Sequence, residues 1–151
     1  MGRTSTNLLV HLIFSTKQRA PIITTEIESD LHAYQGGIIR EVGGVALAIN
    51  GTTDHVHILT RVPAKRSIAD LVCGLTKTNS SRWIHERWPE HLEFAWQTGY
   101  GAFTVSESGV DGVRDYISRQ KEHHKNRSFQ EEFLTFLREN KITFDERYLW
   151  N

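Results

Sequence analysis

Residues 54–62 read Asp-His-Val-His-Ile-Leu-Thr-Arg-Val (DHVHILTRV). Their apolar and β-branched content predicts a strand, which Pro63 ends. Side chains alternate between the two faces of a strand, so His55 and His57 leave one face while Val56 and Ile58 leave the other. Just upstream, residues 45–50 predict a second strand. Asn50-Gly51 is a turn signal, with Thr52 and Thr53 following. Residues 45–62 therefore predict a hairpin.

The flanking sequence completes the pattern. Residues 7–14 (NLLVHLIF) are apolar on both alternating faces apart from Asn7 and His11, which suits a central strand covered on both sides. Between that strand and the hairpin, Thr25-x-x-Glu28 is a capping-box pattern. Ile27, Leu31, Tyr34 and Ile38 follow at helical spacing, Gly36-Gly37 weakens the helix and Gly43-Gly44 ends it. Beyond the hairpin, Ser67-x-x-Asp70 opens a helix with Ile68, Leu71, Val72 and Leu75 on its apolar face, running toward Trp83 and Ile84. Residues 94–106 predict a loop and then a strand around 102–105. Ser108-x-x-Asp111 caps a helix over about 109–125, and Ser128-x-x-Glu131 caps another over about 129–140, with Phe129, Phe133, Phe136 and Leu137 on its apolar side. The expected fold is α+β: a ferredoxin-like βαββαβ antiparallel sheet with helices on one face, plus C-terminal helices.

Composition bounds the function. The chain has 151 residues, which fits one domain over 1–151. Hydrophobic residues make up 38% and charged residues 24%, ordinary globular usage that argues against disorder and coiled coil. No apolar run approaches the roughly 20 residues of a membrane span. A single cysteine, Cys73, excludes an internal disulfide framework and a multi-cysteine zinc site, so a reducing, cytoplasmic setting is expected. With 18 basic and 18 acidic residues there is no global pull toward nucleic acid. The window 114–127 nevertheless concentrates Arg114, Arg119, Lys121, Lys125 and Arg127 against Asp115 and Glu122.

Three constellations carry chemistry. His55 and His57, side by side, are able to hold one divalent metal, or they are two polar residues on a solvated sheet face. Tyr116-x-x-x-Gln120 stacks on one helical side. It combines a nucleophilic phenol with a hard amide ligand, or it is a boundary tyrosine with a polar tip. Arg119, Lys121, Lys125 and Arg127 suit a phosphate backbone, or they are a solvated face with cations near a helix C-terminus. Together the three fit one reaction. A metal on His55, His57 and Gln120 polarises a phosphodiester, Tyr116 attacks phosphorus, and the covalent link keeps the bond energy for rejoining.

In these residues the sequence resembles the single-tyrosine HUH transposases, the TnpA-type enzymes of the smallest bacterial insertion sequences. The resemblance lies in His55-Val56-His57 within DHVHIL, in Gly99-Tyr100-Gly101-Ala102-Phe103 with Val105-Ser106, in Tyr116-Ile117-Ser118-Arg119-Gln120 and in His123-His124. It spans most of the chain, as far as Tyr148-Leu149. Thr104 stands where serine is the commoner residue. The resemblance implies an enzyme acting on single-stranded or hairpin DNA at element ends, with Mg²⁺ or Mn²⁺ as cofactor. It implies Tyr116 as nucleophile making a 5′-phosphotyrosine link, and His55, His57 and Gln120 as metal ligands. It further implies a homodimer with active sites shared between subunits, and no membrane partner. Two other classes share part of this pattern. A histidine-triad nucleotide hydrolase needs a third histidine, and position 59 is Leu59. A non-catalytic ferredoxin-like RNA-binding module needs exposed sheet aromatics, and the central strands offer only Phe14.

Overall fold

The computed structural model describes residues 2–150, with side chains for all of them except 77 and 78. Four antiparallel strands form one sheet: β1 (Leu8–Ser15), β2 (Val45–Gly51), β3 (His55–Val62) and β4 (Gly101–Thr104), in the order β2-β3-β1-β4. This is the order of the ferredoxin-like pattern. The register pairs Ile13 with His57, Leu12 with Ile58 and Phe14 with Val56. Opposed residues of an antiparallel pair share a face. Val10, Leu12, Phe14, Val56, Ile58 and Val62 therefore point one way, and Leu9, His11, Ile13, His55, His57 and Leu59 the other.

The first face carries the main core. It is covered by α1 (Thr25–Glu41) through Ile27, Leu31 and Ile38, and by α2 (Ile68–Cys73) and α3 (Ser80–Arg87) through Leu71, Val72 and Ile84. Leu12 and Ile58 are fully enclosed, so truncating either to alanine should cost about 2–5 kcal/mol. α1 begins one residue earlier than the expected box. Thr24 is the N-cap and makes no side-chain cap bond, so Glu28 falls one position past the site from which it could reach back. The expected 67–84 helix opens as read, with Ser67 accepting from Asp70 N, but it is divided by a π-helical turn at Gly74–Thr78.

At the hairpin, Asn50 and Gly51 stay in register with His57 and Val56, and the connection is made by residues 52–54. Gly51 serves close approach rather than turning. A Cβ there would sit 2.1 Å from the His55 carbonyl oxygen. Residues 94–103, expected as a loop leading into a strand, are partly core. Phe94 and Trp96 are buried against Phe14 in their own chain, leaving Tyr100 exposed.

The C-terminal helices occupy the opposite face. α4 (Val110–Ser118) packs Val110 and Ile117 on Leu9 and Leu59, and α6 (Phe129–Glu139) packs Phe129, Phe133 and Leu137 on Ile13 and Phe103. Ser106, rather than Ser108, caps the approach to α4 by accepting from Gly109 N. The single helix expected over 109–125 is broken at Arg119, whose φ of −105° and ψ of 24° separate α4 from α5 (Gln120–His123). α6 starts on the expected Ser128–Glu131 capping box. A short α7 (Glu146–Leu149) closes the described chain. Among the described residues no helix is long and apolar enough to cross a membrane.

Candidate active site: a buried histidine–glutamate cluster beneath Tyr116

His55 and His57 leave the same face of β3, and α4–α6 roof that face. Both imidazoles are fully buried rather than solvated. The residue that gathers the site is Glu132, on α6. Its carboxylate is also fully buried, an arrangement stable only when every oxygen is paired. His57 Nε2 donates to Glu132 Oε1 at 2.8 Å, Tyr116 Oη donates to Oε2, and Gln120 Nε2 lies 3.3 Å from Oε2. His124 Nε2 stands 3.0 Å from Oε1. Burial alone would raise the Glu132 pKa, but the nearby His124 imidazole and the bonds from His57 and Tyr116 outweigh it and hold the group ionised.

The histidines form a relay across the sheet. Burial lowers the His57 pKa to about 4, against the opposing pull of Glu132, and lowers the neighbouring His11 to about 3. Both are neutral near pH 7. With His57 Nε2–H given to Glu132, its Nδ1 accepts from His11 Nε2 at 2.8 Å. His55 is oriented from the other side. Its Nδ1 lies 2.7 Å from Asp54 Oδ1 and 3.0 Å from Thr52 Oγ1. When Nδ1–H goes to Asp54, His55 Nε2 presents a lone pair to Gln120 Oε1, 3.1 Å away. A proton or a metal ion joins these two atoms.

The donor set fits such a cation. His55, His57, His124 and Glu132 each offer one ligand atom, all within 4.8 Å of one another. His124 Nε2 is buried and, although 3.0 Å from Glu132 Oε1, is not aligned for a hydrogen bond to it. Imidazole nitrogens with one carboxylate and an amide oxygen suit a divalent ion.

Tyr116 is half-buried, with its ring stacked on His123 at 4.6 Å. Its hydroxyl donates to Glu132 and accepts from Arg127 Nη2 at 2.8 Å. Desolvation first, then the Glu132 bond and charge, push the phenol pKa up, and Arg127 opposes them. The phenol keeps its proton in the protein alone.

The structure thus brings together Tyr116, His55, His57 and Gln120, and the break at Arg119 lets Tyr116 and Gln120 converge on one carboxylate. Of the four basic residues singled out, only Arg127 reaches the phenol. Arg119 pairs with Asp115 and Lys121 with Glu28, both at the surface, and Lys125 is exposed. Glu132 escaped the sequence reading, although it carried a signal. It lies three residues after Phe129 and four before Phe136, a carboxylate on an apolar stripe. His11, the polar exception in an apolar strand, and Asp54 carried comparable signals. Leu59, where a histidine triad needs its third histidine, is core. Phe14 is buried and helices cover both sheet faces, which removes the RNA-recognition surface.

An antiparallel sheet presenting paired histidines to a tyrosine-bearing helix defines the single-tyrosine HUH enzymes, which cut and transfer DNA strands. A family model described as "Transposase IS200 like" matches residues 4–120. The chain belongs to the IS200-like transposases, enzymes of insertion-sequence movement. It is 28% identical over 115 residues to the ISDra2 transposase TnpA of Deinococcus radiodurans, covering 73% of this chain and 81% of that protein. It is 26% identical over 142 residues to the transposase for insertion sequence element IS200 of Salmonella typhimurium, covering 83% and 84%. A crystal structure of a candidate transposase from Deinococcus radiodurans R1 superposes with a TM-score of 0.63 at 28% identity, over 80% of this chain and 96% of that one. A REP-associated tyrosine transposase bound to a REP hairpin shares the fold, with a TM-score of 0.59 at 13% identity over 82% and 73%.

Proposed function

We propose that this protein cleaves and rejoins single-stranded DNA at the ends of an insertion sequence through a 5′-phosphotyrosine link to Tyr116. The ion would be Mg²⁺ or Mn²⁺, held by His55, His57 and Gln120, with Glu132 or His124 completing its shell. The observation that carries this reading is convergence. Tyr116, Gln120 and His57 all contact one buried carboxylate within a single chain.

The residues divide the work as follows. When bound, the ion supplies Lewis-acid polarisation of the scissile phosphate. Tyr116 Oη gives its proton to solvent and forms the new bond to phosphorus, the P–O3′ bond breaks, and the leaving oxygen takes a proton from solvent to become a 3′-hydroxyl. Glu132 keeps the phenol protonated at rest. A bound ion would offset the Glu132 charge, and Arg127, which donates to Tyr116 Oη, would then favour the phenolate. His11 and Asp54 fix the imidazole orientations. Rejoining reverses the step with a different 3′-hydroxyl, so no nucleotide cofactor is needed.

The meeting of Tyr116 with Gln120 and His57 at one carboxylate within a single chain supports a tyrosine acting at its own subunit's histidines, in place of the shared sites that the resemblance implies. The homodimer that the resemblance implies would then carry two self-contained sites. Arg119, Lys121 and Lys125 remain candidate backbone contacts beside Arg127.

The test uses a 3′-labelled single-stranded oligonucleotide from the element end. With Mg²⁺ or Mn²⁺, label should follow the protein through denaturing electrophoresis, and chelator should abolish the transfer. Adduct formation in saturating chelator would contradict the mechanism.

A further inference from the structure

On the far side of Phe129 from the histidines lies a cavity of about 230 Å³, for which the strand-cleavage chemistry leaves no role. Ser15 and Gln97 form its polar floor, and Tyr100, Phe133, Tyr148 and Trp150 form its walls. Phe129 is the wall it shares with the site. Its ring is 4.8 Å from that of His55 and 6.5 Å from that of Trp150. We propose that this cavity receives one unstacked nucleobase of the DNA strand whose phosphodiester is presented to Tyr116. The proposal rests on the single-strand chemistry argued above.

Three features select that ligand. The first is chemistry. Aromatic walls stack any base, and the floor offers an amide. Gln97 Oε1 accepts from Ser15 Oγ and its Nε2 donates to the Leu149 carbonyl. An amide has two N–H groups and two lone pairs, so one of each remains for the edge of a base. The second is size. The cavity falls below the roughly 300 Å³ at which pockets for larger small molecules begin, which suits a base without its sugar and phosphate. The third is charge at the rim. The Arg19 guanidinium lies 5.5 Å from the centre of the Trp150 ring and donates to the Trp150 carbonyl. Gln18 and Arg19 both adopt φ of 56°, a left-handed conformation that non-glycine residues disfavour. Strain of this kind is retained where the surroundings enforce it, and here it holds a cation against Trp150, a wall of the cavity, where it would attract the backbone of a strand whose base enters.

Tyr148 is the wall to test, being 70% exposed and dispensable to the core. Single-stranded oligonucleotides from the DNA flanking the gene are used as probes, each carrying one abasic residue walked along the sequence. Affinities are measured with Tyr116→Phe protein, which holds the strand uncut, and with the same protein also carrying Tyr148→Ala. One abasic position should weaken binding to the parent by about five- to 150-fold. Tyr148→Ala should weaken binding of the intact strand comparably, and the abasic residue at that position should then cost nothing more. Tyr148→Phe should restore both the affinity and the abasic penalty. Tyr100→Ala should show the same coupling independently. Abasic penalties that are unchanged at every position by Tyr148→Ala and Tyr100→Ala would overturn the assignment. A Tyr116→Phe protein that binds no single-stranded probe would instead overturn the functional reading, and the base pocket with it.

Discussion

Glu132→Gln separates the structural role of the carboxylate from its role toward a metal ion. In the protein alone Glu132 accepts charge-assisted bonds from His57 Nε2, at 2.8 Å, and from Tyr116 Oη. At about 1.5–3 kcal/mol each, these contribute roughly 3–6 kcal/mol. Holding a carboxylate at zero exposure costs several kcal/mol in the opposite direction. The isosteric amide loses charge assistance but also escapes that penalty, so stability in chelator should change by no more than about 1 kcal/mol. Glu132→Ala removes the acceptor altogether, leaves His57 and Tyr116 unpaired and opens a void. It should cost about 3–5 kcal/mol. Mn²⁺ affinity should behave differently, because both variants lose the only carboxylate in the donor set. A drop of at least about 10–100-fold is expected. Urea unfolding in chelator and calorimetric Mn²⁺ titration read the two quantities separately. A Glu132→Gln protein with wild-type Mn²⁺ affinity would refute the reasoning and leave Glu132 as a structural post.

Other outcomes follow from the same geometry. His11, His57 and His32 are held by burial at pKa values of about 3, 4 and 4, below the 6.5 of the unfolded chain. The unfolded state therefore binds protons first, and stability should fall as pH drops from about 6.5 to about 4, by roughly 1.4 kcal/mol per histidine per pH unit. Denaturant titrations of chelated His32→Leu should lose about a third of that slope, and an unchanged slope would show that His32 titrates normally. Gln120→Ala should weaken Mn²⁺ binding less than His55→Ala or His57→Ala, since it removes a neutral amide, and the same calorimetry ranks the three. Arg127→Ala should slow adduct formation by on the order of 100-fold, as the loss of one donor to a developing oxyanion does, with a smaller change in DNA affinity. Replacing Lys121 and Lys125 together should make the dependence of log affinity on log salt shallower by about 0.7 per lost phosphate contact, and an unchanged slope would place the strand elsewhere.

What the sequence disclosed about this molecule follows from period and spacing. The alternation in 54–62 determines that His55 and His57 share a face, and the capping residues at Ser67 and Ser128 are local enough to be read directly. Longer-range facts were hidden. Spacing shows that a helix has an apolar stripe, but not which sheet face the stripe covers. The histidine face therefore read equally as solvated, whereas α4 and α6 bury it. The break at Arg119 lacks a glycine or proline to mark it. Two serines, 106 and 108, stand before α4, and only the path of the chain selects the first. Phe94 and Trp96 stand in a stretch that reads as a loop, and only the fold shows that they are core. Glu132 was the costliest omission, because a single acidic residue in a helix is unremarkable until its neighbours at three and four residues are noticed to be phenylalanines.

The central claim is that Tyr116 is the nucleophile. The direct measurement is mass spectrometry of the covalent protein–DNA product after nuclease and protease digestion. The account predicts a nucleotide-derived phosphate on the peptide containing Tyr116. It also predicts no adduct from Tyr116→Phe protein that still folds and binds single-stranded DNA and Mn²⁺, while Tyr100→Phe still forms one. An adduct mapped to another residue, or one persisting in Tyr116→Phe, would contradict it.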